Sequence, residues 1–223
     1  MSSKAFHSED AADRYDAWFE RNAAMFRSEL ACIRDTCSFA GDWIEIGVGT
    51  GRFAAALSIK VGVEAEPVMG VRARSRGIRV IPAVAEQLPV ERESFDGVLM
   101  VTTLCFVDDA KRALQEVHRI LRPGGRFCLA FIDREGPIGQ SIVTGKKKSD
   151  FYEGARLYSA RQMQRLLEDL GFRVIACRQT LFADSDANTA IEESREGFGE
   201  GSFVVIHSRK TPSGGATADS KRD

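Results

Sequence analysis

The sequence predicts an α/β fold built on a doubly wound parallel sheet, and three observations carry that prediction. Apolar β-type runs alternate with amphipathic or small-residue runs over residues 43–133. A glycine-rich turn, "EIGVGTGR", joins the first apolar run to a short helical one. The run "FDGVLMVTTLCFV" is the most apolar of all, suited to a central strand covered on both faces.

Residues 8–37 are helical in character, with Ser8 as N-cap and Glu9 and Asp10 in the first turn. Tyr15, Trp18 and Phe19 fall at helical spacing and form one aromatic face. After a break at Gly41, "DWIEIGVG" reads as the first strand with its glycine turn, and "RFAAALS" as a short helix. "IKVGVE" and "IRVIPA" are the next two strands; the helix between them, "PVMGVRARSR", opens on a tolerable Pro67. "LPVERES" connects to the fourth strand, 95–107. The following helix, "DAKRALQEVHRIL", has Ala113, Leu114, Val117, Ile120 and Leu121 on one side; "RPGG" stops it before the strand "RFCLAFID".

The alternation then pauses. Residues 134–158 read as a long polar loop with one helical turn, the kind of segment that carries function in a compact domain. A helix capped by Ser159 and stopped by Gly171 follows. "RVIACRQTLF" and "GSFVVIHSR" are β-rich and suited to antiparallel pairing across a polar excursion, 184–200. The expected organisation is one domain, 1–210, with an N-terminal helical cap over 1–40 and a disordered tail from 211 to 223.

Composition bounds the function. A hydrophobic fraction of 43% and a net charge of −1 suit a globular protein without a general attraction to nucleic acid or to an anionic membrane. The five cysteines are scattered without a C-x-x-C pair, as in a reducing compartment, and Cys32 with Cys37 lacks the second pair that a metal site needs. No leader-like or membrane-spanning apolar run is present, so the expected location is the cytoplasm, as a monomer or homodimer.

The glycine spacing decides between ligands. A phosphate loop needs Lys-Ser or Lys-Thr after its last glycine, and here Arg52 and Phe53 follow Gly51. A dinucleotide fingerprint needs G-x-G-x-x-G, and the third glycine arrives one place early. What stands is Glu45-x-Gly47-x-Gly49-x-Gly51.

That motif resembles the first motif of the class I S-adenosylmethionine-dependent methyltransferases, in particular the small bacterial-type group similar to ubiquinone and menaquinone biosynthesis methyltransferases. "VGVEAEP" resembles the second motif, with Glu64 at the strand end; "AVAEQLPVERESFDGVLMV" resembles the stretch with the adenine contacts, and "LRPGG" the turn before the fifth strand. The resemblance covers residues 15–132 in motif detail and the rest in architecture. Two departures stand out: Val84 occupies the place of the family's usual Asp, and the first crossover is unusually short.

The resemblance implies a seven-stranded Rossmann-like sheet of order 3-2-1-4-5-7-6, strand 7 antiparallel, under an N-terminal helical lid. It also implies S-adenosyl-L-methionine as cofactor, bound by Tyr15, Glu45, Gly47, Gly49, Gly51, Glu64, Ala85, Glu86, Val101 and Thr102. Glu64 would take the ribose hydroxyls, Glu45 the ammonium, and backbone groups of Ala85 and Glu86 the base edge. The expected acceptor is a small molecule, with no nucleic acid and no membrane partner. Transfer to an acceptor that is already a nucleophile needs alignment more than a base, and no catalytic residue or metal site is identified. His7, Asp133, Tyr152 and Tyr158 are acceptor-contact candidates whose alternative is a structural role, and His118, beside Val117 on its helix, reads as structural. A protein or RNA methyltransferase acting through the basic run 146–148, and a binding-only sensor or partner subunit, remain as alternatives.

Overall fold

The computed structural model describes residues 6–146, 151–182 and 190–211. Its helices and strands follow in the order α1 (Glu9–Arg21), α2 (Ala23–Thr36), β1 (Trp43–Ile46), α3 (Arg52–Ala56), β2 (Val61–Glu64), α4 (Pro67–Ser75), β3 (Arg79–Pro82), β4 (Phe95–Val101), α5 (Ala110–Ile120), β5 (Leu121–Ile132), α6 (Pro137–Val143), α7 (Ala160–Asp169), β6 (Phe172–Thr180), β7 (Arg195–Glu196) and β8 (Phe203–Lys210). The strands form one sheet of order β3-β2-β1-β4-β5-β8-β6-β7. With the two-residue edge strand β7 set aside, this is the expected seven-strand order.

β1 runs parallel to β2 and β4, with Ile44 opposite Val61 and Val98. β8 inserts antiparallel between β5 and β6, with Ile206 opposite Leu129 and Cys177. Alternation along the central strands sorts the core into two layers. Val98, Met100, Phe127 and Leu129 pack with α5 and α7, while Leu99, Cys128 and Ala130 pack with α2, α3 and α4. Burial on both faces is why these strands read as unbroken apolar runs.

Several elements depart from the sequence reading. The helical stretch 8–37 is two helices, broken at Asn22, whose backbone N–H and side-chain amide both donate to the carbonyl of Trp18. Asn competes for backbone groups in this way, which ends α1. The fourth strand stops at Val101 rather than running to 107: Thr102 takes a left-handed φ of 48°, and a single 3₁₀ turn, Leu104–Phe106, follows. "RPGG" lies within β5, not ahead of it. Leu121 pairs with Phe95 and Arg126 with Gly97, so the intervening residues bulge from the ladder. Residues 134–158 contain the two-turn helix α6, not a single turn. Lys147 and Lys148 of the basic run, part of the polar excursion 184–200, and the tail beyond Thr211 lie outside the described residues.

The caps follow the sequence. Ser8 accepts from the Ala11 N–H at 3.1 Å, and Ser159 with Gln162 forms a reciprocal capping box. Among the described residues, no helix is long and apolar enough to cross a membrane.

Candidate active site

Parallel strands of an open sheet converge at their carboxyl ends, where β1 and β4 part company with their crossovers and leave a crevice. A cavity opens there. Its floor is Gly47 and Gly49 after β1, Glu64 ending β2, Val84, Ala85 and Glu86 after β3, and Val101 and Thr102 at the end of β4. Its roof is aromatic. Tyr15, on α1, meets Phe19 edge-on at 5.0 Å and Phe151 at 5.4 Å, and Phe6 stacks on Phe151 at 6.1 Å. Trp18 and Tyr152 complete that side. Of the residues expected to bind cofactor, eight line this cavity; Glu45 and Gly51 do not.

The three glycines of the turn answer to three different constraints. A Cβ at Gly47 would stand 2.2 Å from the Thr103 side chain. At Gly49, with φ +55°, the nearest atoms are 3.9 Å away, so its missing side chain leaves the cavity floor open to a ligand. At Gly51, with φ +85°, an added Cβ would stand 3.0 Å from Ala73 Cα, so its absence lets α4 pack closely.

Glu64 accepts hydrogen bonds from the Gly49 N–H at 2.7 Å and the Glu66 N–H at 2.9 Å. Burial pushes its carboxyl up, and these backbone bonds oppose the shift. A carboxylate has about four acceptor positions, so the backbone donors leave spare capacity for hydroxyls. Behind the turn, Glu45 is 2% exposed, and its Oε2 has no hydrogen-bond partner. Burial raises its carboxyl well above the usual range. The backbone N–H groups of Ala85 and Glu86 have no partner among the described residues. The Glu86 carboxylate instead caps the next turn, accepting from the Asp108 N–H at 2.8 Å. Val84 is half exposed at the rim. An open glycine floor, a strand-end carboxylate with spare acceptors and the unpartnered N–H groups of Ala85 and Glu86 fit S-adenosylmethionine, which presents ribose hydroxyls and an adenine edge.

Two groups at this site have no local signature in the sequence. Asp16 accepts from Thr50 Oγ1 at 2.8 Å and Arg52 Nε at 2.7 Å through one oxygen, and from Arg76 at 2.7 Å through the other. It fastens α1 to the glycine turn and to the end of α4. Glu29, on α2, is 6% exposed, lines the cavity and has no hydrogen-bond partner among the described residues. Burial pushes its carboxyl up to about 8. Burial also raises the phenols of Tyr15 and Tyr152.

The remaining candidates separate. Phe151 and Tyr152 line the cavity, whereas Tyr158 packs on the opposite core layer. His118 stands edge-on to Phe172 at 5.1 Å, outside the cavity. His7 Nδ1 lies 2.7 Å from Glu66 at the cavity's edge. Asp133 is fully buried beyond β5 and does not reach the cavity.

Comparison with known proteins agrees with this geometry. A family profile described as "Methyltransferase domain" matches residues 44–129. An uncharacterised protein of Methanocaldococcus jannaschii is 39% identical over 199 residues, 89% of this chain and 96% of that protein. The crystal structure of a "SAM-dependent methyltransferase, possible histamine N-methyltransferase" of Thermotoga maritima superposes with a TM-score of 0.87 at 43% identity, covering 91% of this chain and 98% of that one. An O-methyltransferase of Aspergillus sclerotiorum is 29% identical over 154 residues, 62% of this chain and 57% of its own length. The chain belongs to the class I S-adenosylmethionine-dependent methyltransferases, with S-adenosylmethionine as its cofactor and methyl transfer as its activity.

Proposed function

We propose that the methyl acceptor is a small molecule enclosed between the strand ends and the aromatic roof. The observation that carries this reading is the roof itself. Rings from Phe6, from α1 and from the segment after α6 meet over the cavity, which suits a compact acceptor and would exclude a folded macromolecule. The names of two similar proteins, an O-methyltransferase and a "possible histamine N-methyltransferase", favour a small acceptor as well.

In this reading Glu64 takes the ribose hydroxyls through its spare acceptor positions. Glu45 offers its orphaned oxygen to the methionine ammonium, directly or through water, and Gly47 and Gly49 let the backbone approach. Ala85 and Glu86 read the adenine edge through their N–H groups, while Val101, Thr102 and Tyr15 close around the ligand. When bound, S-adenosylmethionine supplies a methyl group already activated on sulfur. The chain supplies orientation and exclusion of water, and oriented reactants reach effective molarities of about 10⁵ M and above. Residues 134–158 recognise the acceptor, a role supported by Phe151 and Tyr152 in the cavity wall.

Calorimetry tests the cofactor site: S-adenosylmethionine and S-adenosylhomocysteine bind, and NAD does not compete. Incubation with methyl-labelled S-adenosylmethionine and separate pools of small metabolites, RNA and protein tests the acceptor. Label in the small-molecule pool alone is the expected outcome; label in RNA or protein overturns it.

A further inference from the structure

The charge of the cavity is one-sided. Five carboxylic side chains line it, Glu29, Glu64, Glu66, Glu86 and Asp108, and no Lys, Arg or His does so among the described residues. No cationic side chain of that lining is there to receive an anionic acceptor. Four of the five acids have work in the fold: Glu64 and Glu86 accept from backbone N–H groups, Glu66 pairs with His7, and Asp108 has a partner. Glu29 has none, and it is the one that stands among the rings.

A buried carboxyl without a partner is costly unless a ligand completes it. The rings around it add a second preference, because aromatic faces attract cations and cover apolar bodies. Tyr15 faces Glu29 from α1 and Tyr152 from the segment after α6, and both phenols hold their protons at neutral pH. Neither supplies a positive charge. The cofactor's single ammonium already has a candidate receptor in Glu45, on the other side of the glycine turn.

We infer that Glu29 and the surrounding rings form the binding site for a protonated amine on the acceptor, so that this enzyme takes small amines with an apolar body. The inference rests on the small-molecule reading above and narrows it. An incoming ammonium replaces the proton that the buried carboxyl holds, so that the pair is ionic once formed and one proton leaves to solvent.

Titration calorimetry on the full chain saturated with S-adenosylhomocysteine tests this with 2-phenylethylamine, tryptamine and spermidine, against 2-phenylethanol and phenylacetate. At least one amine binds roughly tenfold or more tighter than the alcohol, and phenylacetate gives no heat. Binding releases protons at neutral pH, read from heats in buffers of different ionisation enthalpy. Glu29→Gln, which mimics the protonated carboxyl and so preserves the fold, abolishes both the amine preference and the proton release. Its affinity for S-adenosylhomocysteine stays within about twofold of the parent. Loss of S-adenosylhomocysteine binding in Glu29→Gln assigns the residue to the cofactor and overturns the inference, as does equal binding of alcohol and amine, or no binding of any amine. If the parent protein itself fails to bind S-adenosylhomocysteine, it is the cofactor site that has failed, and the same titrations on the protein without it then decide the amine site by the same criteria.

Discussion

Asp16 and Arg76 stand 60 residues apart in the chain and 2.7 Å apart in the fold. Burial alone would push the Asp16 carboxyl up, but hydrogen bonds from Arg52, Arg76 and Thr50 outweigh it and hold the group below its usual range. The carboxylate thus joins the helix bearing Tyr15 to the turn bearing Gly49. Asp16→Asn keeps the shape and removes the charge. We expect a loss of about 1.5–3 kcal/mol in unfolding free energy by urea titration. Affinity for S-adenosylhomocysteine falls as well, because Tyr15 is no longer held over the floor. The group's depressed value means that its contribution is present above the ordinary aspartate range and is lost as pH falls through its folded value.

The buried carboxyl of Glu29 has the opposite linkage. Its folded value is about 8 against an ordinary 4.5, so the folded protein holds a proton that the unfolded chain releases between those limits. Stability is therefore full below the lower value and declines as pH rises through the upper one. Glu29→Gln removes this slope. In ligand-free protein, urea midpoints of parent and variant should coincide near about pH 4 and diverge in the variant's favour by about pH 9. A parallel pH profile in the two proteins would mean that Glu29 is not desolvated.

Gly49 and Gly51 separate binding from packing. Gly51→Ala places a methyl at 3.0 Å from the Ala73 backbone with φ at +85° and should cost about 1–3 kcal/mol of stability. Gly49→Ala meets nothing closer than 3.9 Å and pays only the left-handed backbone cost, about 1–2 kcal/mol. Its methyl projects into the cavity floor, so ligand affinity suffers more than in Gly51→Ala. Melting curves with and without S-adenosylhomocysteine read both effects.

Glu64→Ala should weaken S-adenosylhomocysteine binding by about 1.5–3 kcal/mol, roughly ten- to a hundredfold. The variant also loses stability without ligand, since the carboxylate accepts from the Gly49 and Glu66 N–H groups and those bonds are lost with it. A variant with unchanged affinity would move the ribose contact elsewhere.

Local signals were the legible ones. The face of α5 followed from spacing, and Ala113, Leu114, Val117 and Ile120 are fully buried. Ser159 announced a helix start because capping is a matter of three residues. The glycine turn and Glu64 declared themselves as a motif, and eight of the ten expected cofactor residues come together at one cavity. Glu29 did not, because a glutamate in a helix reads as solvated until Tyr15 and Tyr152 come up to it from other segments. The contacts of Asp16 were hidden for the same reason, with partners 34 to 60 residues away. "RPGG" misled in the other direction: its composition suggests an interruption, yet the ladder resumes on the far side of a bulge.

The helix that carries Glu29 is bonded to a part of the chain made much later. Ser28 Oγ accepts from the Glu192 N–H across 164 residues, and Ser194 donates to Asp35 across 159. β5 likewise pairs on one side with β8. On the ribosome, then, the first helices emerge long before their anchors. Contacts of such separation form slowly, and a chain awaiting them exposes its apolar surfaces. The rings of α1 leave the exit tunnel well before Phe151 and Tyr152, which complete the roof, so in the nascent chain they stay exposed in the manner that chaperones recognise.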